Sequence, residues 1–304
     1  MEGSSSIAKK LKVPPIIIGL TIVAMGTSLP ETAVSVTASL VQNNELAVSN
    51  VVGSNIFNLM FVIGVCSILT PIMVQKATVV RDIPLSLGCA LFLLVLGISG
   101  LGDKTGMTLG HADGVIFLIV FAGYIFTMVR SAMKARAAGQ KVEIEGVEEC
   151  DNMKELSYGK SILFLIVGAA AIAFGGDLTV DTASRIAIEL GMSQTLVGLT
   201  IVSIGTSLPE LVTSVVAARK NEVDMAVGNA VGSNIFNILM VLGISSAISP
   251  VALIRGKHNR YSASYGIFGL WSGSFAGTRK KIERKEGIIM VVVYLVYCAY
   301  IIAR

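Results

Sequence analysis

The hexapeptide GTSLPE occurs twice in this chain, at residues 26–31 and 205–210, each time inside a long apolar stretch. Proline lacks a backbone N–H and its ring clashes with the preceding turn, so the glycine carbonyl loses its helical partner and the threonine and serine carbonyls after it are disturbed. Inside a membrane, unpaired carbonyls are tolerated only where they are buried in protein or face a polar cavity or an ion. The carboxylate that follows each proline, Glu31 or Glu210, needs a cation or a proton when buried. The two copies therefore predict two broken membrane helices that bind a cation.

The composition is that of a protein that crosses a membrane several times. The chain has 304 residues, of which 53% are hydrophobic and only 14% charged, and a mean hydropathy of +0.76. This is too apolar for a water-soluble fold with a polar shell. Windows long enough to cross a bilayer predict about eight spans, at residues 13–40, 48–73, 83–101, 113–130, 161–178, 195–218, 225–254 and 287–303.

Other compositional features exclude several classes of function. The first dozen residues lack the apolar core of a signal peptide, and the four cysteines have no CxxC spacing, so neither a disulfide framework nor a zinc site is predicted. The net charge of +4 is explained by basic loops and not by a nucleic-acid partner. No nucleophile, phosphate loop or redox motif accompanies the carboxylates, so we expect neither an enzyme nor a resident cofactor.

The chain contains an internal duplication. A shift of 179 residues aligns residues 19–64 with 198–243 without a gap, and 26 of the 46 aligned positions are identical. Such a period is too long for a solenoid and indicates two homologous halves, as in many secondary transporters. We predict a first half over residues 1–131, a cytoplasmic loop over 132–159 and a second half over 160–304.

The flanking charges predict that the two halves have opposite orientations. Basic residues precede the first motif, at Lys9, Lys10 and Lys12, but follow the second, at Arg219 and Lys220. With the amino terminus and the central loop in the cytoplasm, about 18 of the 24 Lys and Arg lie on the inner side, as the positive-inside rule requires. An inverted repeat places the two broken helices face to face near the midplane.

The residues around the two carboxylates offer hard oxygen ligands and neither nitrogen nor sulfur, which suits Ca²⁺ or Na⁺. Carbonyls and hydroxyls come from the first motif of each half, and amides and hydroxyls from the second, which reads GSNIFN in both. Alternatives stay open: a proline can be a simple kink, and the serines and asparagines can be hydrogen bonds between helices. The candidate oxygen ligands from these motifs are those of Thr27, Ser28, Ser54, Asn58, Thr206, Ser207, Ser233 and Asn237.

These paired motifs resemble the two alpha repeats of the Ca²⁺/cation antiporter superfamily, in particular prokaryotic sodium/calcium exchangers. The resemblance implies an all-α polytopic fold of ten helices in an inverted repeat, in a prokaryotic plasma membrane. Ca²⁺ and Na⁺ are then the transported ions, access alternates as two helices slide past the rest, and a requirement for H⁺ or K⁺ stays open.

The resemblance also implies roles for individual residues. Glu31 and Glu210 are similar to the ligands shared by Ca²⁺ and Na⁺, and the carbonyls of Thr27 and Thr206 to Ca²⁺ ligands. Asn58 and Asn237 match polar positions beside the pair, where some members of the family have an aspartate. The residues implied as Na⁺ ligands are Ala24, Ser28, Ser54, Ser203, Ser207 and Ser233.

The chain departs from the family pattern in two places. The apolar stretch at 160–180 has its counterpart before Met1, so we expect the first family helix to be absent. The span at 78–100 should recur at 257–279, where the chain reads KHNRYSASYGIFGLWSGSFAGTR, and we expect a garbled ninth helix. Our hypothesis is a misplaced start codon or a truncated gene for the first departure and a local frame slip for the second. A natural variant of eight or nine spans is the alternative.

Three functions compete at this point. Exchange of Na⁺ for Ca²⁺ is the leading hypothesis, and exchange of H⁺ for Ca²⁺ is an alternative within transport. The third is an inactive, truncated membrane protein that binds cation without moving it.

Overall fold

The structure is a computed structural model that describes residues 6, 19–73, 83–99, 108–137, 156–189, 191–252 and 281–303. Each predicted span falls on one of the helices in this part of the chain. The helices are α1 (residues 19–40), α2 (Asn44–Leu69), α3 (Ile83–Ser99), α4 (His111–Ala137), α5 (Tyr158–Glu189), α6 (residues 194–219), α7 (Val223–Ile248) and α8 (Arg284–Ala303).

Among the described residues, four helices are long and apolar enough to cross a membrane. They are α2, the part of α4 at His111–Ser131, α7 and α8, and the bent α6 makes a fifth if its two parts form one span. In α2 and α7 the apolar window is 83% buried in protein, whereas in α4 and α8 it is 28% buried. The first pair therefore lies at the centre of the protein, and the second pair presents apolar side chains to lipid.

The helices that carry the two GTSLPE motifs are broken as predicted. In α1 a π-helical turn, Gly19–Val23, leads into Ala24–Thr27, and the helix resumes at Leu29–Leu40. In α6 the equivalent segments are Gly198–Val202, Ser203–Thr206 and Leu208–Arg219, and the second part is bent by 42° from the first. Each proline lies in the first turn of the resumed helix, where a missing N–H is tolerated.

The break is more local than the sequence predicts. The carbonyl of Ser28 accepts the N–H of Thr32 at 3.1 Å, and that of Ser207 accepts the N–H of Leu211 at 3.1 Å. The prediction that proline disturbs these two serine carbonyls is therefore wrong. The backbone of both serines instead leaves the helical region only in ψ, which is 7° at each.

The two halves are interlocked. The start of α1 packs against α7, the corresponding part of α6 packs against α2, and α4 and α8 cover the ends of α7 and α2. Two short antiparallel ladders join segments distant in sequence: β1 (Ile72–Met73) pairs with β4 (Lys281–Ile282), and β2 (Thr108–Leu109) with β3 (Val251–Ala252). Each half thus completes its helix packing on elements of the other.

Several predictions lie partly or wholly outside the described residues. The missing first helix would precede α1, and the garbled ninth falls in 253–280, so both stay predictions. Helix α4 continues to Ala137 and α5 begins at Tyr158, so the predicted loop at 132–159 is helical at both ends. The division into halves at 131 and 160 also stays a prediction.

Candidate cation-binding site

Two fully buried carboxylates lie where the broken helices meet. Glu31 and Glu210 each occupy the first turn of the resumed helix, and both are 0% exposed. Each carboxylate accepts a hydrogen bond from the serine at which the broken helix of the other half is interrupted. Ser207 Oγ donates to Glu31 Oε1 at 2.8 Å, and Ser28 Oγ donates to Glu210 Oε1 at 3.2 Å. The two motifs, 179 residues apart in sequence, therefore form one site.

The serines of the GSNIFN motifs form different hydrogen bonds in the two halves. Ser233 Oγ donates to Glu210 Oε1 at 3.1 Å. Its equivalent, Ser54, instead donates to the carbonyl of Ser203 at 3.3 Å and lies 3.5 Å from Thr206 Oγ1. The two carboxylates thus have unequal sets of hydroxyl donors.

The motif threonines are held by asparagines of the opposite half. Thr27 Oγ1 donates to Asn229 Oδ1 at 3.2 Å, and Thr206 Oγ1 donates to Asn50 Oδ1 at 3.1 Å. Sequence reasoning missed both asparagines as part of the site, although each is identical in the two repeats and could have been found in that way. They set the positions of the threonines whose carbonyls the family resemblance names as ligands.

The asparagines of the GSNIFN motifs form hydrogen bonds with one another between α2 and α7. Asn58 Nδ2 donates to Asn234 Oδ1 at 3.2 Å, and Asn237 Nδ2 donates to Asn55 Oδ1 at 3.1 Å. Both bonds cross from one half to the other. The hydrogen bonds between helices that the sequence left open as an alternative for Asn58 and Asn237 are therefore present, and they use only the nitrogen of each amide.

Four acceptor oxygens are left over at this site. Among the described residues none of them has a hydrogen-bond partner, and all are buried: Glu31 Oε2, Glu210 Oε2, Asn58 Oδ1 and Asn237 Oδ1. An unsatisfied buried acceptor costs about 1–3 kcal/mol, and more if it is charged. The four oxygens form two pairs that are equivalent in the repeat. Ca²⁺ and Na⁺ take carboxylate and carbonyl oxygens, so oxygens of this kind are suitable ligands for a hard cation.

The predicted ligand positions are all buried in the region where α1, α2, α6 and α7 meet. Two of them contribute backbone carbonyls that already accept hydrogen bonds: that of Ala24 from Thr27 Oγ1 at 3.3 Å, and that of Ser203 from Ser54. The twelve residues are Ala24, Thr27, Ser28, Glu31, Ser54, Asn58, Ser203, Thr206, Ser207, Glu210, Ser233 and Asn237.

Comparison with known proteins finds relatives whose sequences align with nearly the whole chain. The profile of the family described as sodium/calcium exchanger protein matches residues 1–130 and 160–303. The putative antiporter CaxA of Alkalimonas amylolytica is 37% identical over 298 residues, which cover 97% of this chain and 90% of the relative. The sodium/calcium exchanger MaX1 of Methanosarcina acetivorans is 31% identical, with 98% of this chain and 91% of the relative covered.

The fold is similar to that of a solved exchanger. A structure of the sodium-calcium exchanger NCX_Mj, soaked with 10 mM Na⁺ and zero Ca²⁺, matches with a TM-score of 0.74 and 32% identity over 98% of this chain and 91% of that chain. A second structure, soaked with 2.5 mM Na⁺ and 0.1 mM Ca²⁺, matches with a TM-score of 0.72 and 31% identity.

Proposed function

Because the chain belongs to the sodium/calcium exchanger family, we propose that it exchanges Na⁺ for Ca²⁺ across the membrane at the site between α1 and α6. The family match confirms the predicted resemblance and the multi-pass helical fold. The observation that carries the proposal is the set of four buried, unpartnered oxygens on Glu31, Glu210, Asn58 and Asn237. They supply two negative charges and two neutral oxygens on the four helices that meet here, α1, α2, α6 and α7.

The two carboxylates make the ions compete. Ca²⁺ and Na⁺ both require Glu31 and Glu210, so one ion cannot occupy its full set of ligands while the other is bound. The threonine carbonyls add ligands for Ca²⁺, and the serine hydroxyls and the carbonyls of Ala24 and Ser203 add ligands for Na⁺.

Alternating access then couples the two fluxes. A bare pair of carboxylates in a closed, low-dielectric site is costly, so the empty protein does not pass through the occluded state. The site changes sides only when its charge is balanced, either by Ca²⁺ or by Na⁺. A Na⁺ gradient directed into the cell therefore drives Ca²⁺ out.

Transport in liposomes tests this proposal. Purified protein is reconstituted in vesicles loaded with Na⁺, these are diluted into Na⁺-free buffer, and uptake of radioactive Ca²⁺ is followed. We expect uptake that requires the Na⁺ gradient and that falls to the level of empty liposomes in Glu210→Gln, which keeps the shape of the side chain and removes its charge. The matched control is Glu283→Gln, the same change at an exposed residue, which should transport as the unchanged protein does.

Two outcomes would contradict Na⁺/Ca²⁺ exchange. Uptake driven by a pH gradient in the absence of Na⁺ would identify H⁺ as the exchanged ion. Ca²⁺ binding without uptake, in protein shown to be folded and inserted, would identify the inactive membrane protein.

A further inference from the structure

We propose that Asn55 and Asn234, which the function above leaves without a role, are positioning residues that keep the amide oxygens of Asn237 and Asn58 free for the cation. This inference rests on the proposed function, because it concerns the same site. The four asparagines form a reciprocal cluster between α2 and α7, here called the asparagine clamp. All four are buried, with exposures between 0% and 4%.

Two backbone carbonyls fix the orientation of the side-chain amides of Asn55 and Asn234. Asn55 Nδ2 donates to the carbonyl of Asn234 at 3.4 Å, and Asn234 Nδ2 donates to the carbonyl of Asn55 at 3.1 Å. A backbone carbonyl can only accept a hydrogen bond. The amide nitrogens of Asn55 and Asn234 must therefore face the opposite helix, and neither amide can turn over without placing oxygen against oxygen.

The orientation of Asn55 and Asn234 in turn fixes the orientation of the amides of Asn237 and Asn58. With their nitrogens committed, Asn55 and Asn234 present their Oδ1 atoms, to which Asn237 Nδ2 donates at 3.1 Å and Asn58 Nδ2 at 3.2 Å. Asn237 and Asn58 must be donors at these contacts, so their oxygens point elsewhere. Those two oxygens are the neutral pair among the four unpartnered acceptors.

The direction of these two amides decides whether the site attracts or repels a cation. An amide presents a partial negative charge at its oxygen and two N–H donors at its nitrogen, so an inverted amide would turn N–H groups toward the ion. Residues that orient metal ligands in this way change metal affinity by about 10- to 100-fold when mutated. We therefore expect the clamp to set Ca²⁺ affinity without contacting Ca²⁺.

Double-mutant cycles on the full chain in liposomes test the clamp. Half-saturation by Ca²⁺ is measured in the uptake assay for Asn55→Ala, Asn237→Ala and the double variant. The same cycle is measured for Asn234→Ala with Asn58→Ala, and for Asn55→Ala with Asn58→Ala. We expect Asn55→Ala to raise the half-saturating Ca²⁺ concentration roughly 10- to 100-fold on its own and less than about 2-fold in protein that already carries Asn237→Ala, because coupled residues are not additive.

The pattern of coupling separates positioning from a structural role. Coupling should follow the hydrogen bonds across the halves, joining 55 to 237 and 234 to 58, although Asn55 and Asn58 are neighbours on α2. The control is Asn44→Ala, which removes a similar amide bond between α2 and the segment after α7, from Asn44 Nδ2 to the carbonyl of Pro250 at 2.8 Å. Its effect, of whatever size, should be the same with and without Asn237→Ala.

Equal effects of Asn55→Ala in both backgrounds, or coupling of 55 to 58 in place of 237, would overturn the clamp. If Asn55→Ala does not fold, the cycle of Asn234 with Asn58 tests the same inference from the other half. A Ca²⁺ titration of thermal stability on the same proteins measures binding without transport. If the unchanged protein neither transports nor is stabilised by Ca²⁺, the proposed function fails, whereas a functional protein with additive variants refutes the clamp alone.

Discussion

At the scale of single residues, the two carboxylates of the site occupy equivalent positions in the repeat but accept different sets of hydrogen bonds. Glu210 Oε1 accepts hydrogen bonds from Ser28 and Ser233, whereas Glu31 Oε1 accepts one from Ser207 while Ser54 turns to a carbonyl. A typical hydrogen bond contributes about 0.5–1.5 kcal/mol to stability. The loss of one serine should therefore matter more at Glu31 than at Glu210.

We predict that Ser207→Ala destabilises the cation-free protein more than Ser28→Ala does. The first change removes the serine donor from Glu31 Oε1 and should lower the free energy of unfolding by about 0.5–1.5 kcal/mol. The second leaves Ser233 on Glu210, so its cost should be about half as large. Thermal unfolding in buffer that contains neither Na⁺ nor Ca²⁺ measures both. Equal losses would contradict the asymmetry, and added Ca²⁺ should narrow the difference because the ion gives both carboxylates a partner.

The sequence predicts ligands better than it predicts the residues that orient them. Glu31 and Glu210 could be chosen because a carboxylate after proline in an apolar stretch needs an explanation of its own. The partners of Asn50 and Asn55, in contrast, lie more than 150 residues away, and nothing in local spacing says which amide faces which. The carbonyl of Ser28 was misjudged for a local reason, since the helix resumes at once and the N–H of Thr32 pairs with it.

At the scale of helices, two glycines allow the halves to interlock. A Cβ added at Gly53 would lie 2.5 Å from Ser203 Oγ and 2.8 Å from the carbonyl of Leu199 on α6. A Cβ at Gly232 would lie 2.9 Å from Ala24 Cβ on α1. At these two crossings the GSNIFN motif of each half lies against the broken helix of the other half. Small residues allow such close contacts between helices.

We predict that Gly53→Ala and Gly232→Ala each destabilise the protein by about 1–3 kcal/mol, the usual cost of overpacking, and abolish Ca²⁺ uptake because Ser203 or Ala24 is displaced. The matched control is Gly123→Ala in α4, where a Cβ would meet nothing within 4 Å. That variant should unfold at the same temperature as the unchanged protein or a higher one, since alanine favours helix over glycine. The prediction is wrong if Gly53→Ala unfolds no earlier than Gly123→Ala.

Helix positions could be predicted from hydropathy, and helix irregularities could not. Each apolar window marks a helix, but the π-helical turns at Phe57–Val62 in α2 and Asn237–Val241 in α7 leave no trace in a window average. The extension of α4 to Ala137 was missed because Lys134 and Arg136 lower the hydropathy of the window. Such charges end a membrane span without ending a helix.

At the scale of the whole molecule, the structure extends the repeat beyond the motifs. Helices α4 and α8 begin alike: Asp113 Oδ2 accepts the N–H of Gly110, and Glu286 Oε2 accepts that of Glu283, each at 2.8 Å. The glycine that follows each acid, Gly114 or Gly287, packs against the end of α7 or α2. These equivalent residues are offset by 173 positions and not by 179. The segment between β3 and β4 (253–280) is therefore six residues shorter than the equivalent segment between β1 and β2 (74–107). This is the stretch where the sequence does not match its repeat partner.

An inverted repeat makes equivalent turns face opposite sides of the membrane, and this gives the last prediction. Val41 and Lys220 occupy equivalent positions after the two broken helices, and both are exposed. The charge asymmetry predicts that position 41 lies outside the cell and position 220 in the cytoplasm. Val41→Cys and Lys220→Cys, each introduced after the four native cysteines are replaced, should therefore react with a membrane-impermeant maleimide in opposite vesicle preparations, the first in right-side-out and the second in inside-out vesicles. Both must react after detergent is added, which shows that neither thiol is buried. Labelling of both from the same side would require parallel halves, and the two carboxylates could not then meet as they do here.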